Sequence, residues 1–109
     1  MDNISLNKEL NDWCGTKNID FLSESCGLCN LFTYVVPKLR DGCKGWTLLD
    51  INFSYDADWI TCNIELYKEG GMGLCDTKNF INTIREQENT EAEALAQACL
   101  EAFKELQDD

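Results

Sequence analysis

Apolar residues recur along the chain with two different periods. Leu6, Leu10 and Trp13 stand at i, i+4 and i+7, and Gly15 follows as a residue suited to a left-handed cap, which predicts a short amphipathic helix over residues 3 to 14. From Cys26 to Arg40 the positions Leu28, Leu31, Phe32, Val35 and Leu39 trace a second helical stripe, ended by Asp41-Gly42. Pro37 interrupts it. Lacking an N–H and crowding the preceding turn, it predicts a kink near Val36 or a restart with Pro37 in a first turn.

The period then falls to two. Thr47, Leu49, Ile51, Phe53 and Tyr55 form one row and Trp46, Leu48, Asp50, Asn52 and Ser54 the other, the pattern of a strand with one buried face. After the turn-forming Asp56-Ala57-Asp58, the segment from Trp59 to Tyr67 sets Ile60, Cys62, Ile64 and Leu66 on a core face and returns as an antiparallel hairpin. A Gly-rich connection over 68 to 76 leads to Lys78–Arg85, a weaker third strand whose Phe80, Ile81 and Ile84 also fit a helical period. Thr90 and Glu93 make a T-x-x-E capping box ahead of Ala92, Leu95, Cys99, Ala102, Phe103 and Leu106, predicting a helix over 91 to 107. The order α-α-β-β-β-α implies an α+β fold, in which helices pack on an antiparallel sheet of three strands or slightly more.

A length of 109 residues with 44% hydrophobic content suits one domain with one core. No repeat, linker or low-complexity run divides it. No stretch approaches the roughly 18 apolar residues of a membrane span, and the polar start MDNISLNKEL lacks a secretory pattern, so the expected location is the cytosol.

Charge narrows the choice of partners. Nine Lys and Arg against twenty Asp and Glu give a formal net charge of −11, a field that repels nucleic acid and anionic membrane and favours a partner with a basic surface. The excess is concentrated after residue 85, where Glu86, Glu88, Glu91, Glu93, Glu101, Glu105, Asp108 and Asp109 face Lys104 alone. This run is either a docking site, with Glu91, Glu93, Glu101 and Glu105 as its partner-binding residues, or the solvated face of a terminal helix.

Candidate chemistry is sparse. The chain has no His, which removes Ser-His-Asp and Cys-His nucleophile pairs and the HExxH metal motif. Asp56 and Asp58 either act as paired carboxylates, for acid–base work or a divalent cation, or simply suit a tight turn. Seven cysteines, an odd number without a secretion signal, favour free thiols, with Cys62 and Cys99 on apolar positions of the core. Cys26 and Cys29 form a C-x2-C step that Cys14 and Cys43 would complete as a zinc site, but those two lack the paired spacing, so neither metal nor cofactor is expected. The Gly70-Gly71-Met72-Gly73 loop offers backbone N–H groups without the Lys-Ser/Thr of a P-loop, and Trp46, Tyr55, Trp59 and Tyr67 fall at strand ends.

The segments LNKELNDWCGTKNI, YVVPKLRDGCKGW and EAEALAQACLEAF resemble the phage ABA-sandwich domain family, small bacteriophage and prophage proteins of mostly unassigned function. That resemblance implies a phage protein acting inside a bacterial cell and supplies no catalytic residue. Three functional classes follow. One is a non-enzymatic accessory protein that occludes a host protein, such as a defence factor, through an acidic surface. Another is a homo-oligomer sequestering a small nucleotide with Tyr55, Trp59, Gly71 and Met72, its charge locally reversed by Lys68, Lys78 or Arg85. The third, a metal-dependent or carboxylate enzyme, has least to support it.

Overall fold

A computed structural model describes residues 2–40, 45–73, 75–85 and 90–108. Helix α1 (Asn3–Cys14) starts where the Asp2 carboxylate accepts the Ser5 N–H at 2.8 Å and ends at Gly15, whose φ of 68° is left-handed as the sequence predicts. The second helical stripe is one continuous body in three parts: α2 (Gly27–Asn30), a π-helical turn (Leu31–Val35) and α3 (Val36–Arg40). The restart reading holds, because Pro37 occupies the first turn of α3. The wider π turn, in which the Val36 N–H reaches back to the Leu31 carbonyl, accommodates a ring that would crowd an α-helical turn. It also rotates the stripe. Leu31, Val35 and Leu39 are buried, whereas Phe32, expected among them, is 47% exposed.

Strands β1 (Thr47–Asp56), β2 (Trp59–Glu69) and β3 (Cys75–Arg85) form an antiparallel sheet in the order β1-β2-β3. Its inner face aligns Ile51 and Phe53 with Ile64 and Cys62, and these in turn with Phe80 and Asn82. Two expectations need correcting. A bulge between Leu48 and Asp50 puts Leu48 opposite Leu66 on the core side and leaves Leu49 at 54% exposure, reversing the two leucines relative to strict alternation. β3 begins at Cys75 and pairs through all its length with β2, which excludes the helical alternative and shortens the Gly-rich connection to a turn around Gly71–Gly73.

Helix α4 (Glu91–Asp108) is the centre of the molecule. It packs on β2 and β3 with one side, while α1 and the 27–40 helix close over others and α3 reaches β1. Ala92, Ala94, Leu95, Ala96, Ala98, Cys99, Leu100, Ala102, Phe103 and Leu106 are therefore all buried, with no exposure above 4%. Thr90 ends the chain's approach as expected, its carbonyl accepting from the N–H groups of Glu93 and Ala94. Its own hydroxyl is buried without a partner among the described residues, so the threonine half of the capping box is not made. Among the described residues no helix is long and apolar enough to cross a membrane.

Two asparagines one turn apart on α1 act as a surrogate strand for the segment that follows. Asn11 accepts the Ile19 N–H at 3.0 Å and the Thr16 hydroxyl at 2.8 Å, and both Asn7 and Asn11 donate to the Ile19 carbonyl at 2.9 Å. Asn7 also accepts the Phe21 N–H at 2.8 Å, which carries Phe21 into the core at 0% exposure. Asn11→Ala removes the acceptor of the Ile19 N–H. It is expected to lower unfolding free energy by about 2 kcal/mol, read from urea midpoints, with Thr16→Ala costing less.

Candidate functional site

The helices pack on one face of the sheet and leave its outer face open. Its rows are Thr47, Asp50, Asn52, Ser54 and Asp56 on β1, Trp59 to Glu69 at alternate positions on β2, and Cys75 to Arg85 at alternate positions on β3. None of these residues is buried, in contrast to the intervening core positions of β2. At one end Arg85 lies over the ring of Trp59, 5.8 Å from its centroid, and Thr61 and Thr83 share a hydroxyl hydrogen bond at 2.9 Å. Towards the other end Asp50 stands directly opposite Glu65, its carboxylate accepting from Asn52 Nδ2 at 3.1 Å. Ile81 is 59% exposed between these groups.

The residues proposed for a nucleotide do not meet within one chain. Tyr55 and Trp59 flank the β1–β2 turn, whereas Gly71 and Met72 belong to the turn between β2 and β3. β2 separates the turns by ten residue steps, Trp59 to Glu69, which at a rise of about 3.4 Å is roughly 34 Å. Tyr55 and Trp59 also lie in rows of opposite facing, and the Tyr55 hydroxyl donates to Glu91 at 3.3 Å. Met72, with a φ of 63°, projects fully exposed at its turn. The cations offered to phosphate are engaged elsewhere: Lys68 and Lys78 lie over Trp46, 5.9 and 5.1 Å from the ring centroid, and Arg85 covers Trp59.

The acidic helix residues are likewise not one patch. Glu93 is buried and accepts from Gln97 Nε2 at 3.1 Å, Glu91 is half-buried beside Tyr55, and Glu105 lies 3.4 Å from Lys78. Only Glu101 and Glu105 of the four are exposed. Glu101 borders a cleft of about 200 Å³ with Leu6, Asn82, Gln97, Leu100 and Lys104, and Lys104 itself pairs with Glu9 at 3.3 Å. The solvated-face reading of this helix holds for a narrow stripe, where Glu101, Lys104 and Glu105 are exposed, but not for Glu93, which is buried.

Asp56 and Asp58 serve the β1–β2 turn, Asp56 accepting the Ala57 N–H at 2.8 Å. Among the described residues no three Cys, Asp or Glu side chains converge as metal ligands; Cys43 lies outside them. Cys14 donates to the Tyr34 carbonyl at 3.6 Å, and Cys26 sits 2.9 Å from the Ser23 hydroxyl. Burial pushes the Cys62 thiol up to about 12 and the Cys99 thiol well above its ordinary range, so both are held neutral and unreactive in the core. Sequence reasoning missed the sheet face because its polar row reads only as the outside of an amphipathic strand. Its signal was Asp50 and Glu65, which the register of the β1–β2 hairpin, unbroken from Asp50 to the turn, sets opposite each other. Comparison of the chain with protein-family models, curated proteins and solved structures finds no match.

A folded-state thiol value raised above the unfolded one near 9 contributes stability that is complete below that value and lost as pH rises through the interval to the folded value. The unfolding free energy is therefore expected to fall as pH increases above about 9. A Cys62→Ala/Cys99→Ala variant, less stable at neutral pH, should show a shallower alkaline decline in urea titrations.

Proposed function

We propose that the protein is a non-enzymatic binding protein that docks on a basic host protein and occludes it, using the open face of its sheet. The observation that carries this reading is the alignment of Asp50 with Glu65 across β1 and β2. Like charges set directly opposite in a sheet oppose folding, and a Lys or Arg supplied by a partner would relieve them. The net charge of −11 adds long-range attraction for such a partner. Trp59, already stacked under Arg85, and the exposed Ile81 supply the apolar contact that a charged rim lacks. The absence of His and the buried, neutral state of Cys62 and Cys99 support binding over catalysis. The sequence resemblance described above supports a phage protein at work in the cytoplasm of a bacterial host.

The nucleotide reading has less support, since its aromatic and glycine elements sit at opposite ends of β2. The reading is tested by capturing the partner from host lysate and measuring its association with purified protein. Asp50→Lys/Glu65→Lys is expected to slow association by about tenfold or more, and wild-type association should slow as salt is raised. Glu93→Gln, in the interior, should leave the rate unchanged. An association rate insensitive to both salt and the sheet-face reversal would overturn the proposal.

A further inference from the structure

Among the described residues the sheet has two free edges that differ in kind. β1 is interrupted by the bulge at Leu48–Asp50 and carries Asp50 and Asp56 without a base, features that blunt pairing with another strand. β3 has no bulge, and its charges, Asp76, Lys78 and Arg85, stand towards its ends and leave Asn79–Ile84 uncharged. It runs for 11 residues without Pro, Gly or bulge, and pairs in unbroken register with β2 on one side. Among the described residues no strand pairs with its other side, so alternate N–H and C=O groups there point outward.

We infer that the β3 edge is a homodimer interface, in which two copies pair β3 with β3 antiparallel and join their sheets into one of six strands. Charge selects a second copy over another acidic or basic strand. β3 is the one strand in which bases, Lys78 and Arg85, outnumber acids, Asp76 alone, so it is the edge on which two molecules of this acidic protein repel least. Antiparallel pairing brings the Asp76 end of each copy beside the Arg85 end of the other. A register centred on Ile81 sets this 59%-exposed side chain against its own copy, Asn79 against Thr83 and Thr77 against Arg85. Within Thr77–Arg85 no like charges oppose each other in that register, and the exposed isoleucine is covered. Because the β1 edge is blunted, the assembly closes at two chains and does not extend into a filament. The inference rests on the backbone edge of β3 and does not depend on the proposed docking; Ile81 belongs both to this edge and to the outer face, whereas Asp50 and Glu65 lie on β1 and β2, away from the edge.

Sedimentation and light scattering from about 1 to about 200 µM should show a monomer–dimer equilibrium that tightens with added salt, as the repulsion between two acidic chains is screened. This salt response is opposite in sign to that expected for the basic partner. Ile81→Lys on the β3 edge should weaken the dimer by about tenfold or more, and Thr83→Lys, an independent exposed position, should also weaken it. Leu49→Lys on the other edge should leave it intact. Hydrogen exchange of the β3 amides should slow with concentration. A chain monomeric throughout this range, or a dimer that survives both β3 substitutions or is lost with Leu49→Lys, would overturn the inference.

Discussion

The burial of α4 around most of its circumference is the constraint on which the rest of the structure depends. A helix enclosed by a sheet and by other helices must be apolar on several sides and narrow enough for its neighbours to approach. Ala94, Ala96, Ala98 and Ala102, each at 0% exposure, meet both requirements. The approach is close at Gly27, where a Cβ atom would lie 2.8 Å from the Phe21 carbonyl oxygen and 3.0 Å from the Ala92 side chain. The Asn7 and Asn11 clamp fixes the segment that delivers Phe21 to this contact. Trp13 stacked on Phe103, with ring centroids 5.2 Å apart, anchors α1 to the same helix.

Enclosing α4 decides where function can reside. The inner face of the sheet is committed to Ile60, Cys62, Ile64, Leu66, Phe80 and Ile84, all buried, leaving the outer face free to be polar. Carboxylates that appear contiguous along the helix are dispersed by the fold to Tyr55, Gln97 and Lys78. On the sheet the reverse occurs. Asp50 and Glu65, far apart in sequence, are placed side by side by strand register.

The regular elements were legible wherever hydrophobic period and punctuation agreed: Leu6, Leu10 and Gly15 for α1, and the alternation from Ile60 to Leu66 for β2. The bulge was not, because Leu48 and Leu49 are chemically identical and a period of two cannot say which faces inward. The π turn follows from Pro37 only as one of two outcomes, and its effect on Phe32 depends on how far the helix rotates. Asn7 and Asn11 gave no signal, since their partners are backbone groups that composition does not reveal. Alanine caused the largest misreading. Ala94, Ala96 and Ala98 carry little hydrophobic signal, so the buried Glu93 read as part of an acidic outer face that is confined to Glu101 and Glu105. The pairing of Trp59 with Gly71 fails on simple geometry, because a strand as long as β2 must separate the two turns that bound it.

Native-state hydrogen exchange tests the central place of α4 most directly. If this helix is the core on which the sheet and the other helices assemble, the amides from Ala94 to Phe103 should exchange only through global unfolding, at free energies equal to that from denaturant titration. Exchange of these amides through a lower-energy opening, with β2 remaining protected, would contradict it.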